Sequence, residues 1–286
     1  MLPEKLQNFN RAEFENTCKR KFLFDSSFDI YGGISGLYDY GPVLCTIKHN
    51  FIQEWRRHFV FEENMYEIDT SCLTPEEVFI NSGHVERFND IMCKDIKTGE
   101  CFRLDKHLES ILKDMIEKNN NQEEKEILKQ VLIDIGNMNI EELKDVVNYY
   151  QIKSPNNNEL KNIKQRIERN QNELSEPFTF NLMFASKLDP IGNKVCYLRP
   201  ELSQGIIVNF KRIIDSHYAK QIPFAIAGIG QAFRNEFEPR NGLLRVREFT
   251  LAEIEYFIDP QNKKHQKFNK IKDVSIFAWS KELQEG

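Results

Sequence analysis

Charged side chains that could bind a ligand are concentrated in residues 228–257 of the chain. Two segments rich in β-forming residues, 224–229 and 246–257, flank a polar connection that contains Asn241 and Gly242. This arrangement predicts a long antiparallel hairpin with a broad loop. Arginines and glutamates lie on both arms near the loop: Arg234, Glu236, Arg240, Arg245, Arg247, Glu248, Glu253 and Glu255. A hairpin with only a structural role keeps its charges on the solvent face, so we expect some of these side chains to share a cleft.

The residue types in this hairpin suggest the kind of ligand. An arginine guanidinium binds phosphate oxygens or a carboxylate through two parallel hydrogen bonds. Carboxylates on the same surface hold an ammonium group or an exocyclic amine. The combination predicts a ligand that brings phosphate, carboxylate and amine together, such as a nucleotide beside an amino acid. The alternative is a network of salt bridges within the hairpin, which explains each residue singly but explains the whole set poorly.

Two short runs in the hairpin resemble a known family. The letters F-R-N-E at 233–236 and R-V-R-E-F at 245–249 are similar to motif 2 of the class II aminoacyl-tRNA synthetases. A match to F-R-x-E alone carries little information. The longer run P-R-N-G-L-L-R-V-R-E-F-T-L-A-E-I-E-Y-F at 239–257 is far more specific and resembles the eukaryotic, homodimeric glycyl-tRNA synthetases. The resemblance also runs through the glycine-rich segment at 26–42 and covers essentially the whole chain.

The resemblance implies a role for each matching residue in activating glycine with ATP. The implied ATP-binding residues are Arg234, Asn235, Glu236, Arg245, Val246 and Phe249, and the implied glycine-binding residues are Glu201, Glu253 and Arg234. Arg234, as the catalytic residue, would bridge the substrate carboxylate and the α-phosphate. Glu236 would accept from the adenine amine, Phe249 would stack under adenine, and Arg245 would reach the outer phosphates. The resemblance implies Mg²⁺ as part of the ATP complex and no metal ligand from the protein.

Glu201 lies in a second segment with functional potential. It follows a short apolar strand within V-C-Y-L-R-P-E-L-S-Q-G at 195–205 and precedes a helix predicted over 204–214. A carboxylate at such a junction is commonly a favourable charge at a helix start, and this interpretation stays open from the residues alone. The resembling family has R-P-E-T-A-Q-G, whose glutamate binds the amino group of glycine. This chain keeps Glu201, changes its neighbours, and has Cys196 where the family usually has glycine.

A helix and a strand precede this site in the chain. Pro42 is a favourable first helical residue, and apolar residues then recur every four positions: Val43, Ile47, Phe51, Trp55 and Phe59. The spacing predicts an amphipathic helix of about five turns, followed by a strand over 65–75 that ends at Pro75. Periodicity alone favours a helix packed on the core. The pair resembles motif 1 of the class II synthetases, at about 42–75, which implies a homodimer interface instead.

Residues 105–175 differ in composition from their surroundings. They are rich in Glu, Lys and Asn, and the spacing of their apolar residues predicts three short helices. The stretch therefore is predicted to be a charged helical insertion with loose linkers. Its basic run, Lys161, Lys164, Arg166 and Arg169, is either a solvated face or a contact for RNA phosphates. In the resembling family an insertion at this place lies near the tRNA acceptor arm.

Composition and charge exclude several classes of protein. The chain has 39 basic and 44 acidic residues, a net charge of -5, so no global basic field attracts nucleic acid. Its six cysteines form no C-x-x-C pair, so zinc is not expected and reduced thiols are the simplest interpretation. Neither a membrane-spanning apolar run nor a secretory signal is visible. We expect a cytoplasmic protein, with an organellar form whose transit peptide has been removed as the alternative.

His84, in S-G-H-V-E-R-F-N-D at 82–90, is the histidine most open to a functional interpretation. No nucleophile lies near it in the sequence. A lone histidine in such a context is more often a structural residue than a catalyst. We therefore expect no part for His84 in the chemistry.

The predicted fold is α+β, a class II synthetase-like antiparallel sheet flanked by helices and interrupted by the charged insertion. Residues 1–104 form the first part of a catalytic domain, 105–175 the insertion, and 176–286 the second part, with motif 2 at about 224–257. No match to motif 3 or to an anticodon-binding domain is present. We therefore expect the chain to be a fragment or a truncated product.

Three functions are compatible with the sequence. The leading hypothesis is ATP-dependent ligation of glycine to tRNA(Gly) through a glycyl-adenylate. An alternative is a catalytically inactive fragment or paralogue that serves as an RNA-binding or dimerisation module. The absent C-terminal part favours this alternative, and the intact set from Arg234 to Glu253 argues against it. A third is an adenylate-forming enzyme that makes dinucleotide signals, which tRNA binding would separate from the first.

Overall fold

The computed structural model describes residues 10–154, 174–216, 218, 221–239, 242–265, 267–276 and 278. In chain order its strands are β1 (Phe24–Ser26), β2 (Tyr38–Tyr40), β3 (Tyr66–Glu67), β4 (Leu73–Pro75), β5 (Asn89–Lys94), β6 (Cys101–Arg103), β7 (Phe178–Asn181), β8 (Phe184–Lys187), β9 (Val195–Leu198), β10 (Phe224–Phe233) and β11 (Glu248–Phe257). Its α-helices are α1 (Arg11–Arg20), α2 (Pro42–Arg56), α3 (Glu76–Asn81), α4 (His84–Arg87), α5 (Leu104–Lys118), α6 (Gln122–Asp134), α7 (Ile140–Tyr149), α8 (Ser203–Val208), α9 (Phe210–Asp215) and α10 (Phe268–Ile271). Neighbouring strands in the described sheets are antiparallel except β3 and β10, which confirms the α+β prediction.

The predicted hairpin is present as β10 and β11. The two strands pair antiparallel from Phe224 opposite Phe257 to Phe233 opposite Glu248. β10 continues past the predicted end at residue 229, although it contains Gly228 and Gly230. Glycine weakens a strand but also admits close approach of other groups. A Cβ at Gly230 would overlap the guanidinium of Arg199, so this glycine lets a buried side chain lie against the strand.

A hydrophobic core joins the hairpin to helices α8 and α9. Its buried residues are Leu202, Ile206, Phe224 and Ile226. Phe210 stacks on Phe224 with ring centroids 5.7 Å apart. Full burial of one such side chain contributes about 1.5–3 kcal/mol. This core fixes the start of α8, and therefore Glu201, against one face of the hairpin.

Helix α2 confirms the amphipathic helix predicted from Pro42 onward, and a π-helical turn, Arg57–Glu62, follows it. Part of its apolar stripe stays largely exposed among the described residues. Val43, Ile47 and Phe51 are 55%, 53% and 72% exposed. The interpretation of this helix as core is therefore wrong for its first half, because the described residues leave most of these side chains uncovered.

The strand predicted over 65–75 is wrong as a single element. The segment contains β3 and β4, which join different sheets: β3 pairs with β10, and β4 pairs with β9. Between them, Thr70 accepts hydrogen bonds from Arg199 on its carbonyl and hydroxyl oxygens. The backbone leaves the hairpin sheet at this point because it satisfies a buried guanidinium.

The three helices predicted in the insertion are present as α5, α6 and α7. Leu104, Leu108, Leu112, Leu128, Ile135 and Leu143 form their own buried core together with Cys93 of β5. Asn139 caps α7 in a capping box with Glu142. The insertion is therefore packed onto the β5 sheet. Its predicted RNA-contacting run at 161–169 lies outside the described residues.

The helix predicted over 204–214 is interrupted. It consists of α8 and α9, separated at Asn209, whose side chain donates to the carbonyl of Gly205 at 2.8 Å. Of its predicted apolar face, Ile206 is buried but Ile207 is 54% exposed. None of the helices in the described residues has the length and apolar character that crossing a bilayer requires.

Candidate active site

Arg234 follows β10 directly and is held without a carboxylate partner. Its backbone N–H donates to the carbonyl of Arg247 at 2.9 Å, and its Nε donates to the carbonyl of Pro200 at 3.3 Å. The guanidinium carbon lies 5.5 Å from the ring centre of Phe249 and 6.0 Å from that of Phe88. Within the described part of the chain no ion pair neutralises Arg234. Two aromatic rings thus orient a cation that is able to bind an anionic ligand.

Glu253 faces the loop between β9 and α8. It lies opposite Gly228 in the hairpin. Its Oε2 accepts hydrogen bonds from the backbone N–H of Leu202 at 2.8 Å and from the hydroxyl of Ser203 at 3.1 Å. One carboxylate oxygen is therefore fixed by two donors, and its other oxygen has no hydrogen bond to a described residue.

Glu201 is adjacent to that contact. Its Oε1 accepts a hydrogen bond from Nε2 of Gln204 at 2.6 Å. Nε2 of His84 lies 3.3 Å from the same oxygen, with both side chains mostly covered. The fold thus brings His84 next to Glu201, and the expectation that His84 takes no part in the chemistry stays a prediction. Sequence reasoning could not pair the two residues, because they are distant in the chain and meet only in the fold.

Arg199 connects the loop of Glu201 to the hairpin. It is 4% exposed. Its Nε donates to the carbonyl of Gln231 at 2.8 Å, and its Nη1 donates to the carbonyl and hydroxyl oxygens of Thr70 at 2.7 and 2.8 Å. Its own carbonyl accepts from the N–H of Phe233 at 2.9 Å. Arg199 thus sets the distance between Glu201 and the strand that leads to Arg234. The analysis of residue types did not identify it, although it precedes Pro200 and Glu201 in the quoted R-P-E run.

Arg245 and Glu236 line a polar cleft of about 670 Å³ between the hairpin loop and the start of the insertion. Asp90 and Arg103 contribute to the same cleft, and Arg103 forms an ion pair with Asp90 at 3.0 Å. Burial raises the pKa of Asp90 above its usual range, and Asp105 and Glu236 add to this shift, while the two arginines oppose it. This cleft therefore presents both charge signs.

Val246 and Phe249 line a different cleft of about 330 Å³, against the start of α2 and the glycine-rich segment. Asn235 is fixed by its backbone, which donates to the carbonyl of Leu182 at 2.8 Å. Four of the six predicted ATP-binding residues are thus divided between two clefts. Phe249 also contacts Arg234, which lines neither of them.

Arg247 fastens the glycine-rich segment to the hairpin loop. Its N–H donates to the carbonyl of Gly36 at 2.7 Å, its Nε to that of Glu236 at 3.0 Å, and its Nη1 to that of Ser35 at 2.8 Å. Gly36 has φ +80°, and a Cβ there would lie 2.7 Å from the Cβ of Pro239. Glycine is therefore required at this contact. Through these bonds Arg247 holds the glycine-rich segment and the hairpin loop together.

Metal-binding side chains do not cluster in the described part of the chain. No group of three or more His, Cys, Asp or Glu residues there has the arrangement to hold an ion. The cysteines Cys18, Cys45, Cys72, Cys93, Cys101 and Cys196 are free thiols. The candidate site thus consists of arginine, carboxylate, amide and aromatic groups.

Comparisons with known proteins identify relatives of the chain. Residues 186–285 match the family described as tRNA synthetase class II core domain (G, H, P, S and T). The chain is 47% identical over 98% of its length to a glycine–tRNA ligase of Drosophila melanogaster and 45% identical over 98% to one of Caenorhabditis elegans. It is also 42% identical over 98% of its length to glycine–tRNA ligase 2 of Saccharomyces cerevisiae.

The chain spans only part of these relatives. It covers 35%, 36% and 43% of their respective lengths. A solved structure, titled as the RNA binding domain of threonyl-tRNA synthetase from Cryptosporidium parvum, matches 86% of this chain and 37% of that chain, with a TM-score of 0.46 and 16% identity. The sequence relatives are the stronger finding. The chain is therefore homologous to part of the glycine–tRNA ligases, and its residues 186–285 match the class II tRNA synthetase core domain.

Proposed function

We propose that this protein takes part in the ATP-dependent ligation of glycine to tRNA(Gly), with a glycyl-adenylate as the intermediate. The observation that carries the proposal is the placement of a cation without a carboxylate partner, Arg234, on the same hairpin as Glu253, which contacts the loop of Glu201. An amino acid bound there has its two charged ends recognised by groups of opposite sign. The curated relatives are named as glycine–tRNA ligases, which supports glycine as the amino acid.

The first step is an in-line substitution at phosphorus. A carboxylate oxygen of glycine attacks the α-phosphate of ATP, a new P–O bond forms, and the bond to the β-phosphate breaks with release of pyrophosphate. No proton has to move, so the protein acts by positioning and by charge stabilisation. Mg²⁺ enters with ATP as part of the substrate.

Arg234 is the residue we assign to the developing charge. Its guanidinium would bridge the glycine carboxylate and the α-phosphate, and the rings of Phe249 and Phe88 restrict its orientation before substrate arrives. Phe249 would also stack under adenine. Glu201 and Glu253 would bind the ammonium group, each through the oxygen that has no described protein donor.

The hairpin loop completes the proposed ATP site. Arg245 would bind the outer phosphates and Glu236 the adenine amine, with Asn235 and the backbone at Val246 as further contacts. Arg245 and Glu236 line one cleft and Val246 another, so this part of the proposal requires the loop to move when ATP binds. The bonds of Arg247 keep the base of the loop in place during such a movement.

A homodimer through the motif 1 region belongs to the same proposal. The apolar side chains of Val43, Ile47 and Phe51 project from α2 without cover from the described residues. An uncovered apolar face of this kind is characteristic of a protein interface. A cytoplasmic location is also proposed. Among the relatives, one from Arabidopsis thaliana is named cytoplasmic and one from Saccharomyces cerevisiae mitochondrial.

Amino-acid-dependent exchange of pyrophosphate into ATP tests the function. The assay compares all twenty amino acids on the 286-residue chain and on the native gene product. We expect exchange with glycine only, and we expect Glu253→Gln to raise the KM for glycine. Exchange with another amino acid would overturn the assignment. If neither the 286-residue chain nor the native gene product exchanges pyrophosphate but tRNA binding is observed, the RNA-binding module is favoured instead.

A further inference from the structure

The amino-acid side of the candidate site contains a buried acceptor without a partner. Gln204 is 8% exposed, and its Nε2 donates to Oε1 of Glu201 at 2.6 Å. Its own Oε1 is the buried side-chain atom that lacks a hydrogen-bond partner in the described part of the chain. The amide cannot turn around, since that would place its oxygen against a carboxylate oxygen. Buried polar atoms are normally paired, so an orphan beside a candidate ligand site calls for a donor from the ligand.

His84 fixes the other side of the same carboxylate. The hydroxyl of Ser82 lies 2.9 Å from Nδ1 of His84, so this ring nitrogen is already in contact with a protein group. Nε2 of the same ring lies 3.3 Å from Oε1 of Glu201. The rings of Phe79 and Phe88, at 5.6 and 5.5 Å from the imidazole, hold its position. Gln204 and His84 thus both contact Oε1 of Glu201, and Oε2 of Glu201 is left for a ligand.

Three side-chain acceptors of these residues have no hydrogen bond to any residue that the structure describes. They are Oε2 of Glu201, Oε1 of Glu253 and Oε1 of Gln204. They belong to neighbouring groups, because Glu253 binds the residues that lie between Glu201 and Gln204 in the chain. A primary ammonium group carries three N–H donors. The number of acceptors therefore matches the number of donors.

We propose that Gln204 is a specificity-determining residue of the amino-acid subsite: its Oε1 accepts the third N–H of a primary ammonium group. His84 is a positioning residue, which orients Glu201 for the same group. The inference rests on the proposed function and adds to it two residues. It also predicts why a secondary amine is a poor substrate, since N-methylglycine can supply only two N–H donors.

Glycine-dependent exchange of pyrophosphate into ATP by the native gene product tests the role of Gln204. Gln204→Met keeps the volume and removes both the acceptor Oε1 and the Nε2 donor to Glu201. It should raise the KM for glycine about tenfold or more and leave the KM for ATP unchanged. It should also reduce the preference for glycine over N-methylglycine, which a merely structural residue would not do. Gln130→Met, on the exposed face of α6, is the matched control and should leave both constants unchanged.

Three further variants keep the test independent of folding. Gln204→Asn retains an amide but withdraws it by one methylene, so the same rise in the KM for glycine is expected. His84→Phe keeps a ring but removes the nitrogen beside Glu201 and should raise the KM for glycine severalfold, whereas His84→Gln, which can restore a polar contact with Glu201, should recover most of the loss.

The outcomes separate this inference from the function on which it rests. An unchanged KM for glycine and an unchanged amine preference in both Gln204 variants, beside normal exchange by the unmodified protein, would overturn the role of Gln204 alone. A KM for glycine that rises equally in His84→Phe and His84→Gln would overturn the positioning role. No glycine-dependent exchange by the unmodified protein would overturn the proposed function and this inference with it.

Discussion

Replacement of Arg199 by methionine tests how the site is supported. The buried guanidinium donates three hydrogen bonds, to the carbonyls of Gln231 and Thr70 and to the hydroxyl of Thr70. Methionine fills much of the same volume but leaves these acceptors without a donor. Each hydrogen bond to a charged group contributes about 1.5–3 kcal/mol, but removing the buried charge also relieves its desolvation. We therefore expect a net loss of about 3 kcal/mol in the free energy of unfolding.

Urea denaturation followed by circular dichroism measures this loss. Arg212→Met is the matched control, because Arg212 is exposed on α9 and its one described bond, to Asn209, is long at 3.4 Å. The control should change the free energy of unfolding by less than about 0.5 kcal/mol. Arg199→Met should also raise the KM for glycine, since Glu201 is two residues away. A loss below about 1 kcal/mol would refute the reasoning that Arg199 ties the site together.

Three other predictions follow from the described contacts. Phe249→Leu removes the ring proposed to stack under adenine, whereas Phe88 still contacts Arg234, so the variant should raise the KM for ATP severalfold and the KM for glycine less; equal effects on both would contradict the stacking role. Burial lowers the pKa of His107 below its usual 6.5, although its bond to the carbonyl of Lys153 opposes the shift. The unfolded chain therefore binds a proton at a pH where the folded chain still resists it, so the free energy of unfolding should fall as the pH drops through about 6.5 and below. His107→Asn should flatten this slope in urea titrations. Phe51→Glu should convert a dimer to a monomer in analytical ultracentrifugation, because it places a charge on the uncovered face of α2; an unchanged sedimentation coefficient of a dimer would contradict the interface.

The fold was predictable where local patterns agree with tertiary contacts. The hairpin followed from β-forming residues on both sides of a turn, and the three insertion helices followed from the spacing of their leucines. The strand over 65–75 was not predictable as two pieces. Its division depends on Thr70, which binds a side chain more than a hundred residues further along the chain. No local pattern carries information about such a partner.

The residue types of the candidate site were predictable from the sequence. The residues that hold Glu201 and Arg234 in position were less predictable. The resemblance of the runs around Arg234, Glu201 and Glu253 indicates these three residues, although a carboxylate such as Glu201 is ordinary at a helix start. The contacts of His84 and Gln204 with Glu201, and of Phe88 with Arg234, are identified only by the fold. The apolar stripe of α2 shows the reverse case. The period of its apolar residues indicates a helix correctly, but the period alone does not distinguish a buried face from an exposed one.

The most direct test of the central claim is glycine-dependent exchange of pyrophosphate into ATP by Arg234→Ala, compared with the unmodified native gene product. The account predicts exchange in the unmodified protein and a loss of about a hundredfold or more in kcat/KM for the variant, because Arg234 stabilises charge that develops only in the transition state. Arg212→Ala should retain full exchange. Exchange that persists in Arg234→Ala at a similar rate would contradict the claim that this hairpin carries the chemistry.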